Sequence, residues 1–468
     1  MKHVHAFCDD ALGDLDATGV AGRIASGEIS ATEALESALA RIDRVEPELS
    51  GLAFDDRDRA RARLDHGFHG VFAGVPSAIK NNTDFAGLPT RNGSAATPAA
   101  PATSDEAYVG QFVGTGLNVL GATTTPAFGL TATTEFADRA PTRNPWDTDY
   151  SSGGSSGGSA ALVAAGALPI AHGNDGGGSI RIPAAACGLY GLKPSRGRTA
   201  PSKMGASLPI DLISNGVITR SVRDSAIFLA DVESRSGSGD LPPIGRVDGP
   251  GARRLRVALV NAPITGRLLD GPTQTALDDA VALLESLGHS VETVPLPVDR
   301  SFVDDFSDYW AMLAFGIDRF GGRTVGKGFD RSRLDPFTRG LSSRFLRRFY
   351  RTPFAIRGLT KATASFRGLC DRFDVVLSPT LAHTTPKIGH LSVTESFEDA
   401  FDKLIDYVSF TPANNVSGTP AVSLPWSRTP DGLPVAVHFS ADLGMERTLL
   451  ELSYELEAAR PFARIQDA

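Results

Sequence analysis

The chain has 468 residues and carries 46 Lys+Arg against 54 Asp+Glu, a formal net charge of −8. With 41% hydrophobic and 21% charged residues it has the composition of a globular protein, which excludes a mostly disordered chain. The mild acidity argues against non-specific nucleic-acid binding, and three widely spaced cysteines without a CxxC argue against a disulfide scaffold or a zinc knuckle. Such cysteine usage makes a reducing cytoplasm the default location.

The predicted elements alternate between helices and short strands. Helices are expected within residues 10–65, where Ser30 or Thr32 can form the N-cap, and at 159–167, 219–229, 273–287 and 444–460. Strands are expected at 70–79, 118–124, 168–171, 255–260, 290–296, 374–377 and 421–424. Residues 234–252 are rich in Ser, Gly and Pro and predict a long surface loop or linker. This order favours an α/β fold with a mixed or parallel sheet and helices on its faces.

Nine glycines crowd into residues 153–178: eight lie in the two loops GGSSGG (153–158) and GNDGGGS (173–179), and Gly166 lies between them. Consecutive glycines can adopt positive φ and turn their N–H groups inward, which suits an anion. A phosphate site, an oxyanion hole beside a serine, and a flexible loop are the three interpretations. The phosphate site is disfavoured because neither GxGxxG nor GxxxxGK[ST] occurs.

The residues alone leave the serine and its base open. Residues 153–157 match the GxSxG nucleophile elbow around Ser155, but the preceding residues are polar where an apolar strand is needed. A triad would also require a histidine, and His172, His383 and His438 lie in no recognisable motif. Lys80 completes an SxxK match without its usual companions, yet it ends an apolar strand that would carry its amine inward.

Together these segments resemble the amidase signature family of serine hydrolases. The main match runs from 153 to 195, with flanking matches in VPSAIKNN, RNPWD, GVITRSVRDSA, DVVLSPT, TPANNVSGTPAVSLP and residues 432–457. Within that family, the sequence of these segments most resembles the branch of aryl acylamidases, nylon-oligomer (6-aminohexanoate cyclic dimer) hydrolases and urethanases. The resemblance covers about residues 20–462 and weakens across 230–370.

The resemblance implies one amidase-signature domain over residues 1–468, with a central mixed, twisted sheet covered by helices on both faces and a helical substrate cap. The catalytic core would span about 65–230 and 370–462, and the cap about 300–365. By position, Ser179 resembles the nucleophile, Lys80 the base, and Ser155 the bridging serine, which a cis peptide holds in the family. The N–H groups of Gly176, Gly177 and Gly178, with that of Ser179, would form the oxyanion hole, without cofactor or metal.

The chain departs from the usual sequence pattern of the family at four positions: Asn81 stands in place of an acid, Asn174 and Gly176 differ in the loop that carries Ser179, and His438 stands in place of a common Gln. We expect Asn174 to contact the substrate and Arg181 to brace the loop. Lys80 can accept a proton only when neutral, so its pKa must fall by roughly 3 units, about 4 kcal/mol. Burial without a carboxylate partner would supply that shift.

Residues 302–354 hold 12 aromatics, and residues 319–361 hold 12 Lys+Arg against two acids. We expect this segment to form a helical cap over Ser179, with Phe315 and Phe320 in an apolar substrate pocket. Membrane or partner binding through the basic, aromatic residues 343–351, and a solvated basic helix, are the alternatives.

The sequence therefore predicts an amidase that hydrolyses small apolar or aryl amides, with carbamate or ester cleavage as side activities. A glutamine-dependent amidotransferase subunit, an α/β-hydrolase-type esterase using Ser155 and a histidine, and a non-catalytic binding module are the alternatives. No nucleic-acid partner is expected, membrane association is disfavoured, and a homodimer is left open.

Overall fold

The computed structural model describes residues 3–467, in which a mixed eight-stranded sheet is flanked by helices. Its strands are β6 (Ile170–Asp175), β7 (Tyr190–Lys193), β8 (Ser214–Thr219), β9 (Arg256–Leu259), β10 (Ser290–Thr293), β11 (Val375–Pro379), β12 (Ala421–Arg428) and β13 (Pro434–Ser440). They are arranged in the order β10-β9-β11-β13-β12-β7-β8-β6, with β9 parallel to β10 and β11 and the other neighbours antiparallel. The expected α/β fold with a central mixed sheet is confirmed.

A second, three-stranded sheet carries Lys80. Its order is β1-β3-β2, with β1 antiparallel and β2 parallel to β3. The strands are β1 (Leu52–Asp55), β2 (Pro76–Lys80) and β3 (Asn118–Thr123), and β4 (Arg143–Asn144) pairs with β5 (Asp147–Ser151) in a separate hairpin. Every residue of β2 is buried, so Lys80 at its end is held inside the protein.

Helices surround the sheets. They are α1 (Ala17–Ser26), α2 (Ala31–Leu49), α3 (Arg57–Leu64), α4 (Ala107–Gly114), α5 (Gly157–Ala164), α6 (Arg181–Cys187), α7 (Val222–Ser236), α8 (Gly271–Ser286), α9 (Ser301–Thr324), α10 (Pro336–Arg348), α11 (Thr352–Cys370), α12 (Phe397–Tyr407), α13 (Pro412–Ser417) and α14 (Glu446–Ala459). Ser30 caps α2 in a capping box with Glu33, as its position before the apolar pattern predicts. Within residues 3–467 no helix is long and apolar enough to cross a membrane.

The predicted order of helices and strands needs three corrections. Residues 70–79 form a strand only from Pro76, because the chain before it turns through Gly70 and Gly74, both with positive φ. Residues 10–65 are not helical throughout, since β1 lies between α2 and α3. The strands β7, β8 and β13 of the central sheet were not predicted; every residue in them is buried, so no alternation of exposed and buried residues marks them.

The aromatic, basic segment folds as the helices α9, α10 and α11. Its positive charge does not all face solvent, because acids of α9 pair with arginines of the following helices. Asp308 alone accepts from Arg348 at 2.8 Å and from Arg351 at 2.9 Å. The net charge of +10 over residues 319–361, from 12 Lys+Arg and two acids, therefore overstates the unpaired positive charge on this surface.

Candidate active site

Lys80 is fully buried and its amine contacts only uncharged groups within residues 3–467. The Nζ atom lies 2.7 Å from Ser155 Oγ, 2.7 Å from Asn174 Oδ1 and 3.5 Å from the Asn174 carbonyl oxygen. Burial disfavours the ammonium form and lowers the pKa of Lys80 to about 7, against a smaller opposing effect of Asp175. Near neutral pH a substantial fraction of this amine can therefore accept a proton.

Ser155 precedes α5 and is almost completely buried. The Gly154–Ser155 peptide bond is cis. Gly129, with φ of +68°, presses its backbone against the serine, since a Cβ there would lie 3.1 Å from Ser155 Oγ. A side chain at position 129 would thus crowd the hydroxyl that bonds to Lys80.

Ser179 follows β6 in the second glycine-rich loop and lines the same cavity as Ser155. The two loops are joined where the Ser156 N–H donates to the Ser179 carbonyl at 3.3 Å. Gly176 and Gly177 also line this cavity, and no acceptor within residues 3–467 takes their N–H groups or that of Ser179. These three donors are available to a ligand in the cavity.

Gly178 departs from the predicted oxyanion hole. Its N–H donates to Asp175 Oδ1 at 2.7 Å, and the residue does not line the cavity. Because this donor already has a charged acceptor inside the protein, it is not free for a substrate oxygen. Its role is to close the loop back on Asp175.

Asp175 and Arg181 form a fully buried ion pair behind the loop. Arg181 donates to both carboxylate oxygens at 2.9 Å, and Asn415 donates to Oδ1 at 2.9 Å. Burial would raise the pKa of Asp175, but Arg181, Lys193 and Asn415 together hold it well below its ordinary value. The loop is thus braced by Arg181, as expected, with Asn415 as a further residue whose role the sequence reasoning did not identify.

Asn174 lines the cavity, but its side-chain amide already has partners. Its Oδ1 accepts from Lys80, and its Nδ2 donates to Asn82 Oδ1 at 3.0 Å. Asn82 was not singled out from the sequence, where it is one of two consecutive asparagines after Lys80 without a distinguishing pattern. Substrate contact by Asn174 stays a prediction.

The cavity wall is predominantly apolar, and none of the described residues that line it carries a charge. Its apolar side chains come from loops, α6, α9 and α12, and include Phe128, Leu130, Ile182, Met204, Leu212, Ile213, Ile264, Phe302, Val303, Phe306, Trp310, Leu313, Leu404, Ile405 and Val408. Such a site would hold a neutral apolar ligand, because an unpaired charge would lose its hydration there.

Phe315 and Phe320 do not line this cavity, contrary to the sequence prediction. On α9 the residues facing it follow helical spacing through Phe302, Phe306 and Trp310. Phe315 lies on another face and packs on Phe345 with ring centroids 4.7 Å apart, and Phe320 is 50% exposed. Aromatic enrichment indicated the cap, but it could not give the rotational phase of the helix.

No histidine is among the described residues of the cavity wall. His172 accepts the backbone N–H of Lys80 at 3.1 Å, and burial lowers the pKa of its imidazole to about 3. His438 lies between Arg181 and Ser378, at 3.0 and 3.1 Å. A catalytic histidine beside Ser155 therefore has no candidate in this geometry. Residues 3–467 also contain no cluster of three His, Cys, Asp or Glu side chains that could hold a metal ion.

Comparisons with known proteins bear on the family and the fold of this chain. The family model described as Amidase matches residues 33–450. A putative amidase, AmiC, of Mycobacterium tuberculosis is 47% identical over 471 residues, which cover 99% of this chain and 98% of that protein. The solved 6-aminohexanoate cyclic dimer hydrolase with its substrate has a TM-score of 0.88 at 31% identity, over 98% of this chain and 99% of its own. A bacterial aryl acylamidase of the amidase signature enzymes has a TM-score of 0.85 at 26% identity, over 97% and 98%.

Proposed function

The chain belongs to the amidase signature family, and from that premise we propose that it hydrolyses neutral, largely apolar amides through an acyl-enzyme on Ser179. Membership makes it a hydrolase of carbon–nitrogen amide bonds. The observation that carries the finer proposal is the buried Lys80 amine, which bonds to Ser155 at 2.7 Å next to an uncharged cavity that Ser155 and Ser179 share.

Acylation begins with a proton relay. The Ser179 Oγ attacks the amide carbonyl carbon while its proton passes to Ser155 Oγ, whose own proton passes to Lys80 Nζ. Collapse of the tetrahedral intermediate breaks the carbon–nitrogen bond. The departing nitrogen takes the proton back through Ser155, which leaves a neutral amine and an ester on Ser179. Water then attacks that ester by the same relay and releases the acid.

Lys80 suits the role of general base because its pKa lies close to neutral pH. A serine hydroxyl is a weak nucleophile until a base removes its proton, and a base works best when its pKa lies near the working pH. Lys80 has a pKa of about 7 because it is buried without a carboxylate in hydrogen-bond range.

The negative oxygen of the tetrahedral intermediate would be held by backbone donors. The N–H groups of Gly176, Gly177 and Ser179 are unused within residues 3–467, and the first two residues border the cavity beside Ser179. Fixed donors in a site that excludes water stabilise developing charge strongly. The Asp175–Arg181 pair would keep this loop in place.

The cavity favours an apolar acyl or aryl group over a polar substrate. Glutamine would bring an ammonium and a carboxylate, and no described residue of the cavity wall could pair with either. This disfavours the amidotransferase alternative. Carbamates and esters of similar shape would fit the same chemistry as side activities. The names of two structural relatives support this choice, since one is an aryl acylamidase and the other a 6-aminohexanoate cyclic dimer hydrolase.

The proposal is tested by labelling the nucleophile. A fluorophosphonate probe followed by peptide mass spectrometry should modify Ser179 in the wild-type chain, and not in Ser179→Ala. Ser343→Ala, on the exposed face of α10, is the control and should be labelled at Ser179 like the wild type. A label on Ser155 would instead support the esterase alternative and contradict the proposed roles.

Substrate class is tested by comparing turnover of anilides, linear alkyl amides, carbamates and glutamine. Hydrolysis of anilides or alkyl amides with no release of ammonia from glutamine is expected. Glutamine turnover that matches or exceeds the apolar amides would contradict the assigned class.

A further inference from the structure

Two asparagine side chains meet next to Lys80 and bind each other twice. Asn82 Nδ2 donates to Asn174 Oδ1 at 3.2 Å, and Asn174 Nδ2 donates to Asn82 Oδ1 at 3.0 Å. The same Asn174 Oδ1 accepts from Lys80 Nζ at 2.7 Å. The reciprocal pair therefore holds the Asn174 amide in place beside the lysine, with its Oδ1 toward Nζ.

The contacts around the amine can serve its neutral form. A neutral primary amine has two N–H donors and one lone pair, whereas the ammonium has three donors and no acceptor. Asn174 offers two oxygens, Oδ1 at 2.7 Å and the carbonyl at 3.5 Å, which can only accept. Ser155 Oγ, at 2.7 Å, is the remaining partner: it accepts an N–H of the ammonium form, and it can donate its own proton to the lone pair of the neutral form.

We propose that the Asn82–Asn174 amide pair is a positioning device: it holds one N–H group of Lys80 on Asn174 Oδ1, beside the Asn174 backbone carbonyl, and so turns the lone pair of the amine toward the Ser155 hydroxyl. The inference rests on the proposed function, since it assumes that Lys80 is the base. Asn82 then acts through Asn174 and is a positioning residue, and the main role of Asn174 is toward Lys80 rather than toward the substrate.

The charge around Lys80 shows why an amide matters there. On β6, His172 and Asp175 are the titratable groups that influence the lysine or are influenced by it, and Asp175 is paired with Arg181. The strand β3 and the helix α5 carry no titratable side chain. On α2 the buried Arg41 binds Asp10, and Glu46 binds the backbone of 51 and 52.

A carboxylate in place of the Asn174 amide would be the nearest charge to the amine. An opposite charge within about 4–6 Å raises the pKa of a lysine by about 1–3 units. A rise of about 2 units would lower the neutral fraction at pH 7 about fiftyfold. The amide pair thus supplies hydrogen bonds without the charge that would keep Lys80 protonated.

The test compares three amide-to-acid substitutions at increasing distance. Asn174→Asp places the charge on the atom that faces Nζ, Asn82→Asp places it one side chain farther away, and Gln274→Glu on α8 is the remote control. The acid limb of the kcat/KM profile should move up by about 1–3 units in Asn174→Asp, less in Asn82→Asp, and not in Gln274→Glu.

A second readout does not depend on activity. The chain contains eight lysines, so ¹³Cε-lysine NMR gives few signals, and Lys80 is assigned by its loss in Lys80→Met. The Lys80 signal should titrate at a higher pH in Asn174→Asp than in the wild type. An unchanged titration in that variant would overturn the inference, whatever the activity.

Asn82→Ala separates positioning from substrate binding. A positioning residue should lower kcat with KM nearly unchanged, and Asn82→Gln should restore part of the loss. A rise in KM alone would mean that the pair contacts substrate and would overturn the inference. If the wild-type chain is not labelled at Ser179, the proposed function fails, while the NMR titration still decides whether the pair acts on Lys80.

Discussion

The Nζ of Lys80 lies 2.7 Å from the Oγ of Ser155, and both side chains are removed from solvent. These residues are 75 positions apart in the chain and belong to different elements, β2 and the loop before α5. A buried lysine without an ion-pair partner costs stability, and the burial that lowers its pKa suits the proposed role of Lys80 as the base.

Replacement of Lys80 by Met should abolish most activity and leave the fold intact. Loss of a general base costs about 10²- to 10⁴-fold in rate, and Met fills the buried space without an amine to desolvate. Lys80→Arg should be equally inactive, because a guanidinium stays protonated. We expect kcat/KM to fall in both variants and the melting temperature of Lys80→Met to equal or exceed that of the wild type. Substantial activity in Lys80→Arg would contradict the role of base.

Activity should rise with pH through about 7. The base works only when deprotonated, and burial lowers the pKa of Lys80 to about 7. Below that value kcat/KM should fall about tenfold per pH unit, and above it the profile should level off. A fluorophosphonate inactivation rate measured over the same range should follow the same curve, because it reports the same proton transfer from Ser179.

Stability should also depend on Lys80 above neutral pH. Between about 7 and 10.5 the folded chain holds this amine neutral while the unfolded chain binds a proton, so the free energy of unfolding should rise with pH by about 1.4 kcal/mol per unit. Lys193 has a pKa lowered to about 7 by burial and adds a similar slope. The free energy of unfolding, measured with urea at a series of pH values, should rise less steeply with pH in Lys80→Met than in the wild type. The difference should be about 1.4 kcal/mol per pH unit, the contribution of one such amine. Equal slopes would mean that Lys80 is charged in the folded chain.

The alternation of helices and strands predicted a central mixed sheet but only five of its eight strands. Short motifs with fixed spacing pointed to Lys80, Ser155 and Ser179 as candidate site residues. The sequence could not predict the Asn82–Asn174 pair, since side chains 92 positions apart meet only through the folding of β2 against β6. Nor could it show that the Gly178 N–H is taken by Asp175, which depends on the orientation of one buried carboxylate. Glycine content indicated the loop but not which of its donors stay free.

Breaking the Asp175–Arg181 pair should destabilise the chain strongly. Arg181→Met would leave a carboxylate buried without its main partner, at a cost of about 3–5 kcal/mol. Asp175→Asn combined with Arg181→Met should recover part of that loss, because the stranded charge is removed. Arg246→Met, which breaks an exposed pair with Asp248, is the control and should lower the free energy of unfolding far less, because water screens that pair. Urea unfolding measures the free energy of unfolding of each variant. An equal loss at the buried and the exposed pair would contradict the expected cost of a buried carboxylate without its partner.

Substrate ranking should depend on Phe306 and not on Phe320. The Phe306 ring borders the cavity and lies against the second glycine-rich loop, which carries Ser179, since a Cβ on Gly177 would be 3.5 Å from its Cζ. Phe306→Ala should therefore lower kcat/KM for anilides or long alkyl amides by about tenfold or more relative to acetamide-sized amides. Phe320→Ala is the matched control, because it removes the same ring from a half-exposed position of the same helix that does not line the cavity. Its ratio of large to small substrates should equal that of the wild type. A changed ratio in Phe320→Ala with an unchanged ratio in Phe306→Ala would mean that the substrate binds on another face of the cap.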